Sequence, residues 1–134
     1  GETADTLSAV KQLKNKGCKI LSIINVENSN LELISDFVFY TKAGKEISVA
    51  TTKCYMMQCL ILILLSEYFK AHYKIDVLKL IKSIENAICA DVSFVVEKIE
   101  NSNKVMFLGK GVDYYTTLEG VLKLKEVSYI NAQA

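Results

Sequence analysis

Residues 19–26 read KILSIINV, and residues 37–40 read FVFY. The first run is rich in β-branched residues and apolar on both faces. It is bounded by Gly17 on one side and by the polar residues 27–30 on the other. Such a run predicts a strand of a buried parallel sheet. Residues 29–34 between the two runs have room for one short helix, with Ser29 as its cap. A strand, a short helix and a second strand in this order predict a βαβ unit with a right-handed crossover. The fold class expected from this stretch is α/β, with a parallel sheet.

Upstream, Ala4, Leu7, Val10 and Leu13 follow one another at helical spacing. They predict a helix over about residues 4–16, with Thr3 as N-cap, Asp5 in the first turn and Gly17 as the stop. Downstream, residues 41–47 form a polar loop around Gly44. The loop follows the carboxyl end of a strand and precedes a helix, which is where open α/β sheets bind ligands. Ser48, Thr51 and Thr52 crowd the start of that helix. Two readings stand here: plain N-capping, or an anion site that uses the hydroxyls and the free backbone N–H groups. The helix is expected over residues 49–70. Residues 59–65 are apolar nearly all round, so burial on several sides is expected.

The pattern breaks over residues 70–74. Leu78, Ile81, Ile88, Val92, Val95 and Ile99 then recur at helical spacing, as one amphipathic stretch or as two helices broken near residues 87–91. Residues 104–108, KVMFL, predict a third strand. Gly109-Lys110-Gly111 make the turn after it, and Asp113 is the expected cap of the next helix. In that helix, residues 119–129 read EGVLKLKEVSY. Glu119, Lys123 and Glu126 fall on one ridge, an ammonium between two carboxylates. They are either solvated ion pairs or an acid–base pair tuned by partial burial.

The chain has 134 residues, is 51% hydrophobic and carries a net charge of +1, so it has material for an ordinary core. It shows no basic block, and nucleic acid is not an expected partner. The longest apolar run, residues 60–65, falls far short of the roughly 18 residues that a membrane span needs. The four cysteines, Cys18, Cys54, Cys59 and Cys89, form no C-x-x-C. His72 has no ligand-like companions. No metal or cofactor is therefore expected, and scattered thiols suit a reducing, cytoplasmic setting. The chain starts at Gly1 inside a pattern, and its last residues read as a helix still running. Both features predict a piece of a longer protein.

Three motifs carry a family resemblance. Gly1-Glu2-Thr3-Ala4-Asp5-Thr6 resembles the tail of the S-x-S-G-E-T-x-D-T phosphosugar loop of sugar isomerase (SIS) domains. Residues 43–53, AGKEISVATTK, resemble the A-G-x-E-I-x-V-A-S-T-K segment of the glutamine–fructose-6-phosphate aminotransferase (glucosamine-6-phosphate synthase) family. Residues 118–134, LEGVLKLKEVSYINAQA, resemble its L-E-G-A-L-K-L-K-E-I-S-Y-I-H-A-E-A. The resemblance implies a three-layer αβα sandwich of SIS type, incomplete here. Residues 1–70 would be the later part of a first SIS domain, 71–102 connecting helices, and 103–134 the first strand and helix of a second.

The resemblance also implies chemistry. Fructose-6-phosphate takes up glutamine-derived ammonia at C2, and the imine isomerises by proton transfer from C1 to C2, giving glucosamine-6-phosphate. Glu126 matches the base and Lys123 the lysine beside the sugar. Thr3 matches a phosphate ligand, while Val49 through its backbone and Thr51 through its hydroxyl match the sugar-contacting segment. Thr51 stands where serine is usual, and Asn131 and Gln133 replace the family's histidine and glutamate. The family's ring-opening histidine and Schiff-base lysine would lie beyond Ala134, and His72 does not match that histidine. The chain alone is therefore expected to be inactive. Its expected partners are a phosphosugar and a second copy of itself, in one form swapped through residues 104–108. A phosphofructosamine deglycase, a sugar-phosphate deaminase-isomerase, a phosphosugar-sensing SIS module and a plain structural fragment are the competing readings.

Overall fold

The computed structural model describes residues 1–69 and 74–134. His72 and Lys70, the expected end of the long helix, lie outside the described residues. The chain divides into two units, one of Gly1–Ile47 with Thr51–Lys74 and the other of Ser48–Ala50 with Ile75–Ala134.

In the first unit, helix α1 (Ala4–Asn15) leads to strand β1 (Leu21–Ile24), helix α2 (Asn30–Ile34), strand β2 (Phe37–Tyr40) and helix α3 (Lys53–Tyr68). The two strands pair in parallel, Leu21 opposite Phe37 through Ile24 opposite Tyr40. This is the βαβ unit that residues 19–40 predict. Gly17, at φ 78°, ends α1 as expected, because a left-handed turn is cheap only without a Cβ. Side chains alternate across a strand, so β1 and β2 offer two faces. Ile24 packs with Val10, Ile20 and Leu31, flanked by Leu7, Ile34, Val38 and Tyr40, so α1 and α2 cover one face. α3 lies on the opposite face against β1, and there Leu21, Phe37 and Phe39 line an open groove together with Ile61, Leu64 and Leu65. The result is the αβα layering of the expected SIS-type sandwich.

Two expectations for α3 need correction. The helix starts at Lys53 rather than at residue 49, because the Glu46 carboxylate accepts the Cys54 N–H at 2.9 Å and fixes the first turn there. Nor is it buried on several sides. Cys54 is its one buried residue, and Met56, Leu62 and Ile63 stay exposed. A sheet of two strands covers only one side of so apolar a helix.

In the second unit, α4 (Val77–Ile88) and α5 (Ser93–Ile99) are separate helices. The amphipathic stretch thus breaks, and Asp91 accepts the Ser93 N–H at 2.9 Å at the break. Strand β3 (Lys104–Met106), helix α6 (Val112–Ser128) and strand β4 (Asn131–Gln133) follow, with β3 and β4 parallel. Here too the sequence expectation changes. Gly111, at φ 62°, is the N-cap of α6, and Asp113 sits inside the first turn instead of capping it. The last residues are not helical. Tyr129 turns left-handed at φ 60°, and Asn131–Gln133 pair with Lys104–Met106. Ala132 is 0% exposed. Strand pairing outweighs the helix preference of these residues, and the unit holds a second strand where only one strand and one helix were expected. Among the described residues, no helix is long and apolar enough to cross a membrane.

Candidate functional site

A cavity of about 900 Å³ opens in the first unit at the carboxyl end of β1. Ile23 and Ile24 line it from the strand, and Asn25, Val26 and Glu27 from the segment just after it. Thr3 lines it from the N-cap of α1 and Thr6 from its first turn, Glu46 and Thr51 from the approach to α3, and Cys54 from the first turn of α3. The carboxyl edge of parallel strands is the ligand edge of open α/β sheets.

Local contacts hold the Thr3 side. The Gly1 carbonyl accepts the Leu31 N–H at 3.0 Å. The Glu2 carboxylate accepts the Asn30 backbone N–H at 2.8 Å and its Nδ2 at 2.6 Å. These bonds hold the Glu2 carboxyl below its ordinary range, the backbone bond contributing most. Residues 1–3 are thereby tied to the start of α2. Thr3 occupies the N-cap position of α1 with extended backbone, φ −64° and ψ 117°, as expected, but its side chain makes no capping bond. The hydroxyl is not spent on the helix, and the first N–H groups of α1 carry the positive end of its dipole.

The loop 41–52 forms the other side. Asn25 straps its beginning: Oδ1 accepts from Thr41 Oγ1 at 2.6 Å and from the Ala43 N–H at 2.9 Å, and Nδ2 donates to the Gly44 carbonyl at 2.6 Å. Gly44 takes φ 76°, a conformation that suits glycine. Further on, Lys53 Nζ donates to the Lys45 carbonyl at 2.7 Å. The bond from the Cys54 N–H is the main reason that the Glu46 carboxyl lies below its ordinary range. Burial, followed by the bond to Glu46, pushes the Cys54 thiol up, which makes it a poor nucleophile.

The capping reading of Ser48, Thr51 and Thr52 does not describe the start of α3. Thr52 is the N-cap residue and makes no side-chain cap bond. Ser48 Oγ accepts from the Ala50 N–H at 3.2 Å instead. A carboxylate, Glu46, serves this helix end. Sequence reasoning missed Glu46 because it lies eight residues before its partner, outside any local capping pattern. It missed Asn25 as well, whose one signal is a polar residue where the apolar run of β1 ends.

Thr3 and Thr51 therefore come together in one cavity. Val49 falls with the second unit and is 92% exposed. Lys123 and Glu126 lie on α6, in the second unit. Lys123 Nζ sits 2.9 Å from Glu126 Oε2 and 3.4 Å from Glu119 Oε1. The three side chains retain 22%, 30% and 23% of their surface, in the order Lys123, Glu126, Glu119. The hydrogen bond to Glu126 is the main reason that the Lys123 ammonium titrates above its ordinary value. Partial burial works against it, and Glu119 adds to it. The ridge is thus neither fully solvated nor sealed. It offers a fixed cation beside a carboxylate that can accept a proton. Among the described residues, no group of three His, Cys, Asp or Glu side chains is placed to hold a metal ion.

Comparison with known proteins aligns this chain with one group. The model of the SIS domain family matches residues 1–67. The glutamine–fructose-6-phosphate aminotransferase (isomerizing) of Thermotoga maritima is 39% identical over 146 residues, covering 100% of this chain and 24% of the relative. That of Clostridium tetani is 37% identical over 149 residues, again covering 100% of this chain and 24% of the relative. The chain spans about a quarter of the length of these curated relatives. A crystal structure from Clostridium difficile 630, provisionally named a phosphosugar isomerase, superposes with a TM-score of 0.77. It is 29% identical, and the match covers 95% of this chain and 40% of that one.

Proposed function

Because the chain belongs to the SIS domain family, we propose that it is the phosphosugar-binding part of a sugar-phosphate isomerase that makes glucosamine-6-phosphate from fructose-6-phosphate and glutamine-derived ammonia. The observation that carries this reading is the meeting of Thr3 and Thr51 in one cavity beside the start of α1. A helix start with N–H groups unspent favours a phosphate. Thr3 would bind the phosphate, and Thr51 together with the Val49 backbone would bind the sugar. On α6, Glu126 would take the proton from C1 and return it at C2. Lys123, held as an ammonium, would stabilise the negative charge that develops on oxygen.

In this reading residues 1–70 belong to a first SIS domain, 71–102 connect, and 103–134 belong to a second. The chain by itself is inactive, and the working protein is cytoplasmic. A homodimer accounts for the open apolar groove of the first unit, where Leu21, Phe37, Phe39, Leu64 and Phe69 face outward. Strand exchange through β3 is one form that the dimer can take.

Calorimetric titration of the chain with glucosamine-6-phosphate, and with unphosphorylated glucosamine as control, tests the reading. Binding that requires the phosphate is the expected result. Equal binding of both sugars, or of neither, overturns it. Glucosamine-6-phosphate formation by the isolated chain would refute its proposed inactivity.

A further inference from the structure

Two helix starts open on the cavity of the first unit, and they differ. At α1, Thr3 makes no capping bond, and the helix start is open to an anion. At α3, the equivalent place is filled from within: Glu46 Oε1 accepts the Cys54 N–H at 2.9 Å, and both residues line the cavity. A helix start attracts one negative group, and here the protein supplies its own. Glu27 lines the same cavity, its carboxylate 2.7 Å from Lys42 Nζ. Among the described residues that line the cavity, Lys45 is the one lysine, and its carbonyl, not its ammonium, receives the bond from Lys53. A ligand with a second phosphate at the α3 end would have to displace Glu46 or lie against it, like charge on like charge.

We infer that Glu46 is a specificity-determining residue that restricts this cavity to sugars carrying a single phosphate. The inference rests on the phosphosugar reading above and names how that site rejects a second anion. Rejection by a built-in like charge is a common route to specificity, since discrimination is a difference of two affinities. The end of the cavity away from α1 is thus suited to a neutral polyol or an amine. Thr51 and Gln58 add polar side chains to the cavity lining.

The test titrates fructose-6-phosphate and fructose-1,6-bisphosphate into the 134-residue chain and into its Glu46→Gln variant. Glutamine retains an oxygen that can accept the Cys54 N–H while removing the charge. The wild-type chain is expected to bind the monophosphate at least about tenfold more tightly, and Glu46→Gln to bring the two within about threefold by tightening the bisphosphate. Equal wild-type affinities, or an unchanged ratio in the variant, overturn the inference and leave the phosphosugar reading standing. Failure of the wild-type chain to bind either sugar removes both.

A measurement on the wild-type chain guards against a variant that does not fold. On saturation with fructose-6-phosphate, the amide resonances at the start of α1 are expected to shift and the Cys54 amide to stay. A Cys54 amide that moves as the α1 amides do would mean that the phosphate displaces Glu46, and would overturn the inference.

Discussion

Lys123 Nζ and Glu126 Oε2 lie 2.9 Å apart, one turn from each other on α6. Glu119, one turn earlier, approaches the same ammonium at 3.4 Å. An ammonium between two carboxylates releases its proton reluctantly, so Lys123 stays charged. In the proposed reaction the carboxylate of the pair would then be the proton acceptor. This divides the proposed labour: Glu126 moves the proton, and Lys123 supplies a fixed positive charge.

Removing the proton acceptor should therefore affect chemistry far more than folding. In a longer protein that carries this chain and makes glucosamine-6-phosphate, Glu126→Gln is expected to lower kcat by about 10²- to 10⁴-fold. The melting curve should change little, since a partly exposed helix ion pair contributes about 1 kcal/mol or less. A variant with near-normal turnover would exclude Glu126 as the base. A variant that loses activity only because it unfolds would show the role to be structural.

Gly109 should prove sensitive for a steric reason. A Cβ there would lie 2.8 Å from the Asp113 carbonyl carbon and oxygen and 2.8 Å from Thr117 Cγ2. Helix backbone cannot yield as a flexible side chain can, so Gly109→Ala must shift the start of α6. A destabilisation of about 1–3 kcal/mol is expected in urea unfolding. Gly120→Ala provides the contrast. Its nearest neighbour would be the edge of the Phe107 ring at 3.2 Å, which can tilt away. Equal costs for the two substitutions would contradict this account.

The contrast between what the sequence discloses and what it hides follows from range. β1, α2 and β2 are legible because each is a local pattern, a β-branched run or a capped turn. Glu119, Lys123 and Glu126 are legible because helical spacing alone brings them together. The end of α6 is not legible. Asn131, Ala132 and Gln133 tolerate a helix, and only their distant partners Lys104–Met106 make them a strand. The start of α3 escapes for the same reason, since Glu46 reaches Cys54 across a loop. In the site, Thr3 and Thr51 emerge from motif resemblance, while Asn25 and Glu46, which shape the loop between, emerge only from the folded structure.

Acid should destabilise the first unit through identifiable carboxylates. Asp36 accepts the Ile20 N–H at 2.9 Å and lies 3.2 Å from Lys19 Nζ and 3.6 Å from Lys14 Nζ. The backbone bond foremost holds its carboxyl below the ordinary 3.8; burial, next in size, works against it, and Lys19 and Lys14 add to the lowering. Glu46 is likewise held below its ordinary 4.5. A carboxyl depressed in the folded state adds stability that is present above its unfolded value and lost as pH falls through its folded one. The melting temperature should thus hold steady on descent to 4.5, then fall as pH drops through and below 3.8. Asp36→Asn should flatten that fall. An unchanged slope in the variant would show that Asp36 does not contribute to it.

Asn25 is the residue whose replacement should loosen the binding loop without touching the sheet core. Its amide makes three bonds to the loop, at Thr41, Ala43 and Gly44, and Thr41 is 1% exposed. Asn25→Asp keeps the acceptor for Thr41 and Ala43 but sets a carboxylate oxygen against the Gly44 carbonyl, where a donor stood. Asn25→Ala removes all three bonds and leaves the buried Thr41 hydroxyl without that partner, at a cost of about 1–3 kcal/mol. Both variants should speed hydrogen exchange at the Ala43 amide relative to amides of β1 and β2. Asn25→Asp, which retains the acceptor for that amide, should speed it less. If the Ala43 amide exchanges at the wild-type rate in Asn25→Ala, the loop is held by other bonds, chiefly the link from Glu46 to Cys54, and Asn25 is not its strap.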